Sequence, residues 1–235
     1  MKTGTHADKC LSFISCDMNP QLTRRQAHTQ LRHAVTLSRQ TGVGATAIAT
    51  ELAGFLQART PEPCPWKVFD KNLVEKVLEE HQLPKDVAKF MLEGRVSVIQ
   101  DAVEEMLGLH PSSRTLHEQS SETIQHLAHL GHVILIGRGT NIITREMKNV
   151  FHVRLVAPLE KRVDHVMAHE RLDRKAALEF IRKSDRGRQR YLQDHFHADI
   201  NDSLQYDLVI NTARFPQRKV AHLIGEAVLQ WAETL

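Results

Sequence analysis

No apolar run in these 235 residues approaches the roughly 18 that a membrane-spanning helix needs. The stretch "CLSFISC" near the start is short, carries two serines and runs into Asp17, so it does not read as a secretory signal. Cysteine is scarce: Cys10, Cys16 and Cys64 are odd in number and lack C-x-x-C spacing. That argues against a disulfide framework or a zinc knuckle and fits a reducing cytoplasm. Charge of one sign is missing as well. Lys and Arg number 31 against 28 Asp and Glu, a formal excess of 3, too even for general nucleic-acid binding, and aromatics at 5% leave little surface on which bases would stack.

What is present suits an ordinary globular chain, with 41% hydrophobic and 25% charged residues. Residues 1 to 33 are polar and mixed, and read as an N-terminal extension. From Ala34 onward, apolar strand runs alternate with helical patterns, which predicts an α/β fold with a parallel sheet flanked by helices. The strands are Ala34 to Leu37, a weaker "WKVFD" at 66 to 70, "HVILIG" at 132 to 137, "VFHVRLVA" at 150 to 157 and "YDLVIN" at 206 to 211. The final helix carries Val220, Leu223, Ile224, Ala227, Val228 and Trp231 on one stripe. Residues 72 to 116, interrupted at Pro84 and Pro111, read as an inserted helical cap.

The stretch "AVTLSRQTGVGATAIATEL" runs from strand through a Gly42 and Gly44 turn into a helix spaced on Ile48, Leu52, Phe55 and Leu56. Strand, glycine turn and helix N-terminus together suit phosphate, because curled backbone N–H groups and the helix dipole attract anions. The Walker lysine is nevertheless absent. Ala45 stands in its position and Arg39 in that of the first glycine, while Thr46 occupies the Ser/Thr position that offers a hydroxyl to Mg²⁺. The same glycines serve a plain turn, and the same threonine serves a helix cap.

Two further motifs carry positive charge. "ILIGRGTNI" ends an apolar strand in Gly137-Arg138-Gly139, at the sheet edge where α/β folds bind ligands; an arginine between glycines there suits a phosphate, or is simply a surface arginine in a turn. Residues 161 to 190 hold ten basic and five acidic side chains. On a helix, Lys183, Arg186 and Arg190 share one face, with Asp185 and Arg188 beside it. A solvated face and a lid that neutralises a phosphoryl group in flight both fit this pattern. Fifteen histidines include pairs at 165/169, 126/129 and 195/197, but none has H-E-x-x-H form and no cysteine joins them, so solvated or core-edge histidines are the default reading.

Together these motifs resemble the cytidylate kinase-like family of P-loop nucleoside monophosphate kinases, over residues 34 to about 234. "SRQTGVGA" is similar to the family's S-R-E-x-G-S-G-G at Ser38, Arg39, Gly42 and Gly44, and "FDKNLV" to its "YDKELI". "LIGRGTNII", "APLEKRVDHVM", "KSDRGRQRY" and "YDLVINT" resemble its "VGRGA", its "APLEFRIERVM", its Lys-x-Asp-x-x-Arg-x-x-Tyr lid and its last strand.

The resemblance implies a P-loop NTPase three-layer fold in one domain, 34 to 235, with a helical cap at about 72 to 116 and a helical lid at about 172 to 200. It further implies an enzyme that moves the γ-phosphoryl of ATP, with Mg²⁺, to CMP, dCMP or a related acceptor. Arg39, Gly42, Val43, Gly44, Ala45 and Thr46 would hold the ATP phosphates, with Thr46 reaching the metal through the nucleotide. Asp70, Arg138 and Arg162 would bind the acceptor, with Asp70 near the acceptor monophosphate or the metal and equally readable as the N-cap of a helix starting at Lys71. Lys183, Asp185, Arg186, Arg188 and Arg190 would form the catalytic lid. The family often lacks the Walker lysine, and Arg39 is a candidate to replace its charge. Gln40 where the family commonly has Glu, and Gly187 where it tends to have Asp, argue against efficient catalysis, and the pairing of Ala45 with Gly187 keeps open a second reading: a nucleotide-sensing module without turnover.

Overall fold

The structure, a computed structural model, describes residues 32–60, 65–70 and 113–235. The expected cap lies outside the described residues up to residue 112, as does the N-terminal extension up to residue 31. The described strands are β1 (Ala34–Arg39), β2 (Lys67–Phe69), β3 (Val133–Ile136), β4 (Val150–Val156) and β5 (Leu208–Asn211). All described pairings are parallel, and the order is β2-β3-β1-β4-β5. The helices are α1 (Ala45–Arg59), α2 (Ser113–Leu130), α3 (Thr140–Ile143), α4 (Leu159–Glu170), α5 (Arg174–Phe196) and α6 (Gln217–Ala232).

The central strands are continuous apolar runs because both sheet faces are covered. Val35, Leu37, Ile134, Ile136, Val153 and Leu155 form one core with α1 and α6, while Ala34, Val133, Leu135 and Val150 pack under α2. The predicted stripe of α1 buries Ile48, Leu52 and Leu56. On α6 the buried face is Val220, Ala221, Ile224, Gly225 and Val228; Leu223, expected inside, is 37% exposed. Gly225 decides that rotation, because a Cβ there would collide with the Phe55 ring of α1.

This topology sets three strand ends side by side. Asp70 follows β2, Arg138 follows β3, and the Gly42/Gly44 turn follows β1. In a parallel α/β sheet that carboxyl edge is where ligands collect.

Candidate functional site

The loop between β1 and α1 bends through two glycines in the left-handed region, Gly42 at φ 85 and Gly44 at φ 75. A Cβ at Gly42 would meet the Arg162 carbonyl at 2.6 Å, so the loop lies tight against α4. Gly44 is the N-cap of α1; it offers no side-chain cap, and no acid occupies the first turn. The first N–H groups of a helix have no intrahelical acceptor. Here they remain available to an anion, reinforced by the helix dipole.

Around this loop the side chains fall into two groups. On the β2 side, Thr46 Oγ1 donates to Asp70 Oδ2 at 2.7 Å, and Arg39 lies 4.0 Å from the other oxygen of the same carboxylate. A hydroxyl and a carboxylate at this spacing are oxygen donors of the kind a hard dication takes, the rest of its shell coming from phosphates and water. They fit Mg²⁺ bound with a nucleotide. Among the described residues there is no group of three or more His, Cys, Asp or Glu that could hold a metal by themselves.

On the β4 side, Asp185 of α5 reaches the loop. Its Oδ1 accepts from both the backbone N–H and the hydroxyl of Thr41, each at 2.7 Å. Two arginines meet the same carboxylate: Arg162 Nη1 at 2.6 Å and Arg188 Nη1 at 3.3 Å. Arg188 also donates to the Thr41 hydroxyl at 2.6 Å. Arg162, expected to face the acceptor, is 8% exposed and directs its guanidinium at protein oxygens: Asp185, the Ala157 carbonyl and the Thr41 carbonyl. Gln40 accepts from the Ala157 N–H at 2.9 Å, a role its amide oxygen fills as well as a glutamate would.

Helix α5 divides the basic residues by face. Asp185 and Arg188, three apart, face the loop. Lys183, Arg186 and Arg190 line a separate cavity of about 580 Å³, together with Arg182 and, among the described residues, one acid, Glu179. Gly187, buried in this wall, leaves helix backbone where another residue would project a side chain. The helix begins at an Asp173 cap that accepts from the Ala176 N–H.

Arg138 stands between Gly137 and Gly139 with all three in left-handed backbone, at φ 79, 60 and 67. For arginine this costs about 1–2 kcal/mol, the kind of strain that collects at binding sites. The turn is tied to the loop strand by the Gly137 N–H on the Leu37 carbonyl, and to the far end of α5 by the Phe196 ring against Gly139.

Thr41 and Arg154 are the participants that sequence reading missed. Arg154 of β4 is 4% exposed and donates to Ser38 Oγ at 2.9 Å and to Asn201 Oδ1 at 3.0 Å, with its guanidinium 5.6 Å from the Tyr206 ring centre. Tyr206 in turn donates to the Ile200 carbonyl at 2.9 Å, and its oxygen accepts from the Ser38 hydroxyl at 3.2 Å. A signal was available: polar His152 and Arg154 interrupt an otherwise apolar central strand at period two.

The sequence model of the cytidylate kinase-like family matches residues 34–214. The cytidylate kinase of Methanocaldococcus jannaschii is 20% identical over 159 residues, 67% of this chain and 89% of that protein. A shorter likeness, 29% over 93 residues, links the chain to a uronate isomerase of Corynebacterium glutamicum, covering 40% of this chain and only 18% of that protein's length. Among solved structures, an uncharacterised protein from Eubacterium ventriosum superposes with a TM-score of 0.61 at 16% identity, over 84% of this chain and 98% of that one. A gluconokinase from Sinorhizobium meliloti does so at 0.52 and 9% identity, over 87% and 96%. At these identities the likeness speaks to the fold alone, a parallel sheet flanked by helices. No described helix is long and apolar enough to cross a membrane.

Proposed function

We propose that this chain, which belongs to the cytidylate kinase-like family, is a phosphotransferase moving the γ-phosphoryl of ATP, with Mg²⁺, to a nucleoside monophosphate, CMP or dCMP or a close relative. The observation that carries the reading is the convergence of Arg188, Arg162 and Asp185 on Thr41. A loop that has Ala45 in place of lysine receives positive charge from the lid helix instead.

Phosphoryl transfer asks a protein mainly to position two nucleotides in line and to stabilise spreading negative charge. In this reading Gly42, Val43, Gly44, Ala45 and Thr46 hold the donor phosphates through backbone N–H groups. Thr46 and Asp70 hold Mg²⁺, which supplies charge neutralisation at the phosphate oxygens. Arg39, anchored on Asp70, borders the same phosphates. Arg188 meets the transferring group, and Asp185, clamped by Arg162, fixes the angle at which it does so. Arg138 receives the acceptor phosphate, and Lys183, Arg186 and Arg190 set the potential of the neighbouring cavity.

The test is ADP release with Mg-ATP and a panel of nucleoside monophosphates, comparing wild type with Arg188→Ala. Turnover selective for one acceptor and lost in the variant supports the reading; turnover equal in both sinks it.

One observation favours the alternative of a nucleotide-binding sensor without turnover: Asp185 already occupies the Thr41 N–H and hydroxyl, where a phosphate oxygen would otherwise sit. Tight ATP binding with no acceptor-stimulated ADP release would decide for the sensor.

A further inference from the structure

Beside the phosphate loop, on the β4 side, lies a second cavity of about 140 Å³. A water's share of liquid volume is about 30 Å³, so this is room for roughly four or five waters, enough for one tetrahedral oxyanion and too little for a nucleoside. Among the described residues its walls carry three cations, Arg39, Arg154 and Arg188, against one carboxylate, Asp185. Gln40, Gln189 and Asn201 add amide groups.

The charges are not equally engaged. Arg39 has Asp70, and Arg188 has Asp185. Asp185 is further satisfied by Arg162 and Thr41. Arg154 meets no carboxylate among the described residues. Its partners are the neutral oxygens of Ser38 and Asn201 and the face of Tyr206. A guanidinium this buried is costly without a counter-charge, and a ring face at 5.6 Å recovers only part of that cost. Two strands, the lid helix and the segment before β5 all contribute to enclosing it, so its position is built into the fold.

We infer that this cavity is an anion site, taking a phosphate-sized tetrahedral oxyanion with Arg154 as its principal counter-charge and Arg188 and Gln189 closing over it from α5. The inference rests on the proposed function in that Arg39 and Arg188 also border the donor phosphates there; what it adds is Arg154, whose part in anion binding is readable with no turnover. Two sources share the chemistry: free inorganic phosphate, and the phosphoryl end of a nucleotide.

The test replaces the ligand from within the chain. Asn201 is exposed, and Asn201→Asp puts a carboxylate where Arg154 now meets an amide oxygen. Inorganic phosphate and a nucleoside monophosphate are titrated into wild type and variant, followed by calorimetry and thermal melting. The expected result is one phosphate-sensitive site in wild type, weakened at least tenfold in Asn201→Asp, with the ligand-free variant melting higher than ligand-free wild type. Gln189→Glu, exposed on α5 and lining the same cavity, repeats the experiment should Asn201→Asp fold poorly. A response to free phosphate assigns the site to the ion; a response to the monophosphate alone, lost in the variants, assigns it to the nucleotide's phosphoryl end. Equal binding of both ligands in variant and wild type would mean the anion sits in the phosphate loop and overturns the inference, as would no binding by wild type.

Discussion

Arg188 donates to the Thr41 hydroxyl at 2.6 Å, a contact between residues 147 positions apart that joins α5 to the loop between β1 and α1. If this arginine supplies the charge that Ala45 cannot, Arg188→Ala lowers kcat by about 10²–10³-fold, the range for removing one transition-state donor. Arg188→Lys restores little, because a compact ammonium on a flexible stem does not reproduce a planar fork. Steady-state kinetics on both variants, with melting curves to confirm folding, checks this.

Asp185 is the common acceptor for Arg162, Arg188 and Thr41, so its neutralisation reaches all three. Fully buried pairs lose about 3–5 kcal/mol when one partner is removed; Asp185 is 29% exposed, so Asp185→Asn should cost roughly 1–3 kcal/mol. For a chain of this size that is a fall of roughly 3–10 °C in Tm. Arg162→Met in the Asp185→Asn background should cost less than Arg162→Met alone. Additive losses in the double-mutant cycle would show that the two do not act together.

Thr46 is exposed and Asp70 half-buried at the open carboxyl edge of the sheet, so near-isosteric changes there should bear on metal dependence more than on stability. Asp70→Asn and Thr46→Val are expected to raise the Mg²⁺ concentration for half-maximal turnover by about tenfold or more while Tm stays within about 1–2 °C. An unchanged Mg²⁺ titration would place the metal elsewhere.

Restoring the lysine separates the two functional readings. In a working kinase that draws its charge from Arg188 and Arg39, Ala45→Lys competes with side chains already in place and changes kcat/KM by less than about threefold. In a sensor whose loop is short of charge, it tightens ATP binding by about tenfold, on the order of one charge-assisted hydrogen bond. Binding and kinetic titrations on one variant therefore discriminate.

His117 stacks on His195 at 4.7 Å and meets Phe196 edge-on at 4.9 Å. Burial, and then the neighbouring His195, push the His117 ring down from 6.5 to about 4, with Glu118 pulling weakly the other way. Burial also lowers His195, opposed by Asp194. The folded rings resist protons that the unfolded chain accepts, so this stability is complete above pH 6.5 and drains away as pH falls toward about 4. His117→Phe, which keeps a ring in the stack, should flatten the melting profile between pH 7 and pH 5 by roughly several degrees relative to wild type. Parallel profiles for the two proteins would rule out His117 as the cause.

The strands, the Gly42/Gly44 turn and the split faces of α5 could be read from the sequence because each is a local, periodic signal. Helix α1 announced its buried Ile48, Leu52 and Leu56 in the same way. What escaped is non-local. Nothing near Thr41 in sequence says that an aspartate 144 positions later will bond its N–H, and nothing near Arg154 points to Asn201. Leu223 escaped for a related reason: helical period allows two neighbouring faces, and the Gly225 contact with Phe55 selects one. Arg162 read as an acceptor-binding arginine because its acceptors, Ala157 O, Thr41 O and Asp185, come together only in three dimensions.

Helix α5 runs unbroken for 23 residues from its cap at Asp173, and the residue that turns the chain into it from α4, Arg171, sits at φ 56. Arg188 lies fifteen positions beyond that cap, about 22 Å along the axis at 1.5 Å per residue. The helix is therefore a lever arm with its fulcrum at the elbow. A tilt of about 5° there moves the guanidinium by about 2 Å over this length, enough to break a contact of 2.6 Å. Substitutions at the elbow thus carry mechanical advantage over the loop, and how closely Arg188 is held to Thr41 depends on the stiffness of residues 171 to 173.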